Sequence, residues 1–280
     1  MKAFNKIAII GVGLIGGSIG LAVKRKRLGR EVVGVCRHKE SLQRAIQAGA
    51  IDRGTLSYKE AVKEADLVIL AIPVTQIIKM GSKIGPYLKK GCLITDAGST
   101  KEKICREIEK TVPREISFVG AHPMAGSEKR GVSEARADLF EGAICILTRS
   151  RKTKSIALKK LTAFWKKLGC RIKVLTAQRH DRIVALTSHL PHLAATQLVK
   201  AARESLDWTS SGFLDTTRIA SSDAEIWTDI FLTNKRFVIQ ALDKYIEQLR
   251  LARDLIRKGN RKRLSAEFKK VKRTRDALRK

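Results

Sequence analysis

The stretch Ile7-Ala-Ile-Ile-Gly-Val-Gly-Leu-Ile-Gly-Gly-Ser18 decides the fold. An apolar run, Ile7 to Ile10, enters a turn with glycines at positions 11, 13 and 16, and Ile19-Gly20-Leu21-Ala22-Val23 then continues with helical apolar spacing. Strand, tight turn and helix start form the first corner of a βαβ unit. There the backbone N–H groups of the helix N-terminus face a pyrophosphate, and a Cβ would block the approach. Glycine triplets of this spacing also occur in ordinary loops, so it is the strand before and the helix after that give this one its meaning. Gly11, Gly13 and Gly16, with Leu14 and Ile15 between them, are the expected contacts to a dinucleotide.

Working outward, strands are expected over Glu31 to Cys36, Asp66 to Ile72, Cys92 to Thr95 and Ser117 to Ala121. Helices are expected from the glycine turn to about Arg27, from Glu40 to Ala48, over Tyr58 to Glu64, Gln76 to Leu88 and Thr100 to Lys110. This alternation is the pattern of a doubly wound parallel sheet. Asp66 to Ile72 is a continuous apolar run, as a strand buried on both faces requires. Ile72 and Pro73 close it and join the expected cofactor contacts. Ala143 to Leu147 (strand), Lys154 to Leu168 (amphipathic helix) and Arg171 to Leu175 (edge strand) complete this part. From Ala177 the strand pattern stops. Long helices cover 177 to 205 and 224 to 257, with a Ser-, Thr- and Asp-rich connection from Asp207 to Ala220. The fold class is therefore α/β: a Rossmann-type parallel sheet over residues 1–175, followed by an all-helical substrate and dimerisation domain over 176–280.

Composition narrows the function classes. With 44% hydrophobic and 30% charged residues in 280, the chain has the makeup of a globular protein with two cores. No apolar run approaches the ~20 residues that span a bilayer. Met1-Lys2 leads straight into the first strand, so no signal peptide, no membrane partner and a cytoplasmic location are expected. The five cysteines are scattered and never in CxxC spacing, which argues against a disulfide framework or a zinc ribbon. The net charge of +30 raises the question of nucleic acid. The basic residues are spread over predicted helix faces, however, and only 5% of residues are aromatic, so stacking platforms are lacking. A surface that draws in anionic substrates and a phosphate-rich cofactor is the expected consequence. The basic run from about Leu251 onward reads as a solvated helix with a thin apolar stripe at Leu264, Phe268 and Val271.

The residues that end the second strand bear on the cofactor. An acidic side chain there bonds the ribose hydroxyls of NAD, whereas arginine accommodates the 2′-phosphate of NADP. Here the chain carries Cys36-Arg37-His38-Lys39, with no carboxylate before Glu40, so Arg37 is the expected phosphate partner and NADP is favoured over NAD. His122 follows the last strand of the sheet, in a polar, turn-rich link on the side where ligands of open α/β sheets bind, and an imidazole takes a proton near neutral pH. Ser99, in Asp96-Ala-Gly-Ser-Thr-Lys101, suits a helix N-cap or a substrate contact from the same strand end. His189 and His192 share a helix face at i, i+3, but no third ligand has suitable spacing, so no metal is expected. His180, beside Asp181, reads as a capping or supporting group. Arg218 lies in the small, polar segment Phe213 to Arg218, where its fork would suit a carboxylate, with a surface salt bridge as the alternative.

Taken together, five ordered motifs resemble the prephenate and arogenate dehydrogenase family: Gly11 to Ser18, Asp96 to Lys101, Gly120-Ala-His-Pro-Met-Ala-Gly-Ser-Glu128, Ser188-His-Leu-Pro-His192 and Gly212-Phe-Leu-Asp-Thr-Thr-Arg-Ile-Ala220. The resemblance implies NAD(P)-dependent oxidative decarboxylation of prephenate or arogenate, with prephenate favoured. It implies that His122 accepts the proton of the ring hydroxyl, that Ser99 orients hydroxyl and imidazole, and that Arg218 holds a substrate carboxylate. His189 and Ser127 complete the pocket, with Glu128 and Asp215 near its mouth and Trp227 near its wall. It also implies a homodimer built by the helical domain. Many members carry an acidic residue where this chain has Cys36.

Overall fold

The computed structural model describes residues 4–126 and 129–278. It forms two compact units, Met1–Lys235 and Arg236–Lys280. The first unit grows from alternation along its central strand, β1 (Phe4–Ile10). Ile7 and Ile9 point into one buried cluster with Ile19, Val23, Leu161, Phe164 and Trp165, while Ala8 and Ile10 point into another with Ile77, Ile84, Ile104 and Ile108. Both faces are thus covered by helices, as a parallel sheet requires.

Beside β1 lie β2 (Gly29–Val35), β3 (Arg53–Thr55), β4 (Leu67–Leu70), β5 (Leu93–Asp96) and β6 (Ser117–Val119), in the order β3-β2-β1-β4-β5-β6 and all parallel. The order reverses at β1, between β2 and β4, and ligands of such sheets bind outside the strand carboxyl ends at that crevice. Helices α1 (Leu14–Arg25), α2 (Lys39–Gln47), α3 (Tyr58–Val62), α4 (Val74–Ile84) and α5 (Glu102–Thr111) connect the strands.

The strand expected over Ser117 to Ala121 is broken at Gly120. β6 ends at Val119, and β7 (Ala121–Pro123) begins a second sheet of order β7-β8-β9, with β8 (Ile144–Thr148) antiparallel to β7 and parallel to β9 (Arg171–Leu175). The Thr148 N–H donates to Gly120 O at 2.8 Å, and a Cβ at position 120 would lie 2.7 Å from the Thr148 hydroxyl. Only glycine fits that junction. As a result His122 is not in a loop but in a strand, paired with Ile146 and 9% exposed.

After α6 (Ser155–Lys167) the chain is helical. α7 (Ala177–Val184), one turn of π-helix (Ala185–His189) and α8 (Leu190–Ala201) run on without a break. The expected connection from Asp207 to Ala220 is itself helical, with α9 (Ser211–Thr217) between two 3₁₀ segments, Arg203–Trp208 and Arg218–Ser221. α10 (Ala224–Thr233) is tied to the parallel-sheet part by Thr75 Oγ1 to Asp229 Oδ2 at 2.6 Å and Thr100 Oγ1 to Thr233 Oγ1 at 3.0 Å. α11 (Lys235–Arg257) leads into the second unit, where α12 (Arg261–Ala277) starts at Asn260, whose side chain accepts from the Arg263 N–H at 3.1 Å. None of the described residues of α12 is buried, which fits its expected solvated, basic character.

Candidate active site

The glycine turn has the geometry a pyrophosphate needs. Gly11 holds φ at +93°, and a Cβ there would lie 2.4 Å from Ala71 O; at Gly16 a Cβ would lie 1.9 Å from Gly11 O. These two positions let strand, turn and helix close on one another. Gly13, the residue preceding α1, faces open space within 4 Å of its missing Cβ. The first turn of α1 has no side-chain cap and no acidic residue, so its N–H groups and positive end are presented to an anion. Leu14 and Ile15 are the first two helical residues. Ile72, beyond the end of β4, stands against Gly11, and Pro73 precedes α4. The turn and its walls therefore fit a dinucleotide. At the end of β2 the Cys36 thiol is half-buried, with its pKa raised by burial and eased by the Val12 backbone N–H, while Arg37, His38 and Lys39 are exposed.

A second constellation gathers where β5, β7, α5 and α7 meet. Asp96, at the end of β5, accepts the Ala121 N–H on Oδ1 at 3.1 Å and the Gly98 N–H on Oδ2 at 2.9 Å, and the fully buried Lys101 ammonium also bonds Oδ2. This pair joins the parallel sheet to β7 and fixes the strand that carries His122. The His122 ring is 2.8 Å, Nδ1 to Nε2, from that of His180, and His180 Nδ1 is 2.7 Å from Asp181 Oδ1. Asp181 in turn accepts the Lys101 N–H at 2.7 Å and the Glu102 N–H at 2.8 Å. The N-terminus of α5 is thus capped from α7, not by Ser99, which is half-buried in the bend that precedes α5.

The π-turn brings a third imidazole to the group. Asn234 Nδ2 donates to the Asp181 carbonyl at 2.9 Å, which fixes the amide's orientation, and lies 3.1 Å from His189 Nδ1. His189 Nδ1 is therefore an acceptor, and Nε2 carries the hydrogen. That Nε2 is buried and has no partner among the described residues. Its surroundings favour the neutral ring: burial pushes the His189 pKa down to about 4, with the Asp181 carboxylate opposing and His192 assisting. His180 is pushed down to about 2 by burial and by the Lys101 and His189 charges, and His122 is held well below its usual 6.5 by burial and then by His180, Lys101 and His189. Three neutral imidazoles thus stand within one buried network. His192 stacks on Trp227 with centroids 3.6 Å apart, and Trp227 meets His189 edge-on at 6.1 Å. Arg218 is exposed at the start of the 3₁₀ segment that packs on α8, and Asp215 is exposed on α9. Ser127 and Glu128 lie outside the described residues.

The structure brings His122, His189 and Trp227 into one neighbourhood, joined there by Asn234, which no sequence motif announces. In the sequence Asp181 stands out only as the neighbour of His180, and Lys101 only as the end of the Asp96–Lys101 motif, with no role of its own.

A six-stranded sheet of this order, its glycine turn and a buried imidazole network define a nicotinamide-dinucleotide-dependent dehydrogenase. The chain belongs to the prephenate and arogenate dehydrogenase family: the family model "Prephenate dehydrogenase, nucleotide-binding domain" matches residues 19–174, and "Prephenate dehydrogenase, dimerization domain" matches residues 176–270. It is 36% identical to prephenate dehydrogenase of Bacillus subtilis, over 98% of this chain and 76% of that protein. With cyclohexadienyl dehydrogenase of Zymomonas mobilis it shares 34% identity, over 99% of this chain and 97% of the relative. Its structure is similar to that of prephenate dehydrogenase from A. aeolicus in complex with hydroxyphenyl propionate and NAD+, with a TM-score of 0.93, 32% identity and 98% of each chain covered.

Proposed function

We propose that this dehydrogenase converts prephenate to 4-hydroxyphenylpyruvate, with NADP preferred over NAD, and acts as a homodimer in tyrosine biosynthesis. The observation that carries the chemistry is His122: a buried imidazole, kept neutral by its surroundings, on a short strand beside the parallel sheet. The bound dinucleotide supplies a hydride acceptor. As hydride leaves C4 of the ring, His122 takes the proton of the 4-hydroxyl and a carbonyl forms. Loss of the ring carboxylate as CO2 returns an electron pair to the ring, and the proton held on His122 goes back to the resulting phenolate oxygen. Atoms and charge balance with no further reactant. Aromatisation drives the reaction, so the protein chiefly orients the substrate and handles one proton.

Ser99 is assigned to the substrate hydroxyl and Arg218 to a carboxylate, with His189 and Ser127 completing the pocket. His189 offers a buried Nε2–H with no partner among the described residues, a donor suited to an anionic or carbonyl oxygen. NADP preference is supported by Arg37, exposed just beyond β2 with His38 and Lys39 and with no carboxylate at the strand end. Homodimer formation is supported by apolar side chains left exposed on the helical segments, Trp208 at 89%, Leu214 at 59% and Leu232 at 65%.

The deciding experiment supplies prephenate and arogenate, each with NAD and with NADP, and follows the absorbance of the reduced cofactor. Fastest turnover with prephenate and NADP is expected. A higher kcat/KM with arogenate overturns the substrate assignment, and a higher one with NAD overturns the cofactor preference. Arg37→Asp is expected to raise the KM for NADP selectively, because it replaces the cation facing the 2′-phosphate by an anion. Equal KM values for NAD and NADP before and after the change refute that role. For Arg218→Ala the loss is expected in substrate KM rather than kcat, by about tenfold or more if a charge-assisted hydrogen bond of ~1.5–3 kcal/mol is removed. An unchanged KM argues against carboxylate binding.

A further inference from the structure

Beyond the residues that touch substrate, the hydrogen bonds around His122 settle which of its two nitrogens carries the hydrogen. Both carboxylate oxygens of Asp181 accept backbone N–H groups, Oδ1 from Lys101 and Oδ2 from Glu102, at the N-terminus of α5, where the helix dipole favours negative charge. Burial raises the Asp181 pKa, but the Glu102 and Lys101 N–H groups and the Lys101 charge oppose that rise, and with a backbone donor on each oxygen the group is held as an ionised acceptor in a locked orientation. The third contact of Asp181, from His180 Nδ1 at 2.7 Å, must then be an N–H donated to Oδ1. His180 is fully buried and neutral, so with hydrogen on Nδ1 its Nε2 has only a lone pair. The contact of 2.8 Å to His122 Nδ1 is consequently one in which His122 donates. The lone pair of His122 is left on Nε2, the nitrogen not engaged by His180.

We propose that Asp181 and His180 are positioning residues: anchored on the N-terminus of α5, they hold His122 in the Nδ1–H tautomer and leave its Nε2 as the proton acceptor. This role presupposes His122 as the base. The arrangement resembles the Asp-His pair of serine hydrolases with a second imidazole inserted, where the carboxylate orients the base and steadies its protonated form without taking up the proton itself. The same carboxylate that begins α5 also sets the base, so the helix cap and the tautomer cannot be varied independently. This explains why an aspartate from α7, and not the nearby Ser99, performs the capping.

Two measurements test the role. In the wild-type protein carrying 15N-labelled histidine, the ring shifts and hydrogen couplings of His122, assigned by comparison with His122→Asn, are expected to show hydrogen on Nδ1 and a bare Nε2. Hydrogen on Nε2 overturns the proposal whatever the variants do. His180→Phe, which keeps the volume but removes the acceptor, is expected to lower kcat by about 10²-fold, a fraction of the ~10⁴ seen when a serine-protease His is left in the wrong tautomer, while the dinucleotide Kd stays unchanged. His180→Gln, whose Oε1 can accept from His122 Nδ1, is expected to recover about tenfold of that loss, part of the 10²–10⁴ a positioned base supplies. An unchanged kcat in His180→Phe, or equal losses in the Phe and Gln variants, counts against positioning. His122→Asn, run in parallel, separates the two levels: a large loss there with none in His180→Phe refutes the relay alone, and no loss in His122→Asn refutes the base itself. Should either His180 variant fail to fold, the wild-type tautomer still decides.

Discussion

His122→Asn is expected to lower turnover by about 10²- to 10⁴-fold, the usual contribution of a positioned general base. Asparagine keeps a polar group of similar reach in β7 but has no lone pair basic enough to take a proton near neutral pH. Its side chain meets none of the groups that shape the glycine turn at Gly11, Gly13 and Gly16, so the Kd of the dinucleotide should stay near the wild-type value. The pH profile sharpens the test. In the wild type, kcat/KM is expected to be level through neutral pH and to fall only below the ordinary histidine value of about 6.5, because burial, together with His180, Lys101 and His189, holds the His122 pKa well below it. Protonation of His122 removes the base, so activity is lost as pH falls and not as it rises. The acid limb assigned to His122 should be absent from the variant's residual activity. Turnover near wild type, or a wild-type acid limb above pH 6.5, would refute the assignment.

How far such a site can be read in advance depends on whether its constraints are local. The glycine turn is legible because its requirement is a backbone one: Gly11 at φ +93° and Gly16 against Gly11 O allow no side chain, and both lie within a single strand-turn-helix. The apolar strands β1, β2, β4 and β5 are legible for a similarly local reason, as apolar runs, whereas β3, Arg53-Gly-Thr55, carries no such run and is not expected from the sequence. The break at Gly120 is not, because it is set by a hydrogen bond from Thr148, 28 residues on in the chain. The α5 cap shows the limit most clearly. Ser99 has the right residue type at nearly the right place, yet the orphan N–H groups of Lys101 and Glu102 are taken by Asp181, 80 and 79 residues away. Local propensity identifies the need for a cap but not the residue that supplies the acceptor. Asn234 escapes for a related reason: it acts through contacts to Asp181 and His189 on other elements, and nothing in the flanking sequence distinguishes it. His180, by contrast, is marked as a supporting group by the neighbouring Asp181, but nothing marks His122 as its partner.

Lys101→Met is expected to destabilise the fold by about 3–5 kcal/mol, because it leaves the buried Asp96 carboxylate without its cation. Lys101 and Asp96 are both fully buried, and among the described residues the other hydrogen-bond partners of Asp96 are the Gly98 and Ala121 N–H donors at 2.9 and 3.1 Å. Methionine fills the volume of the lysine stem, so the loss isolates the charge. Against a total stability of roughly 5–15 kcal/mol this is a large fraction, and in a chain of this size it corresponds to a fall in Tm of roughly 10 °C. The sign of the pH dependence is fixed. Burial raises the Asp96 pKa and Lys101 opposes that rise, so in the variant the folded-state pKa climbs further above the unfolded one. The folded state then binds more protons over that interval, and stability declines as pH rises through it. The penalty measured by urea unfolding should accordingly be smaller at pH 5 than at pH 8. Asp96→Asn combined with Lys101→Met removes the uncompensated charge and should regain most of the loss, since one amide oxygen still accepts one of the two N–H groups. Because the Lys101 charge also lowers the His122 pKa, the acid limb of activity should move to higher pH in Lys101→Met. A penalty below about 1 kcal/mol, which is the range of an exposed ion pair, would refute the role of this pair as the link between β5 and the strand that carries the base.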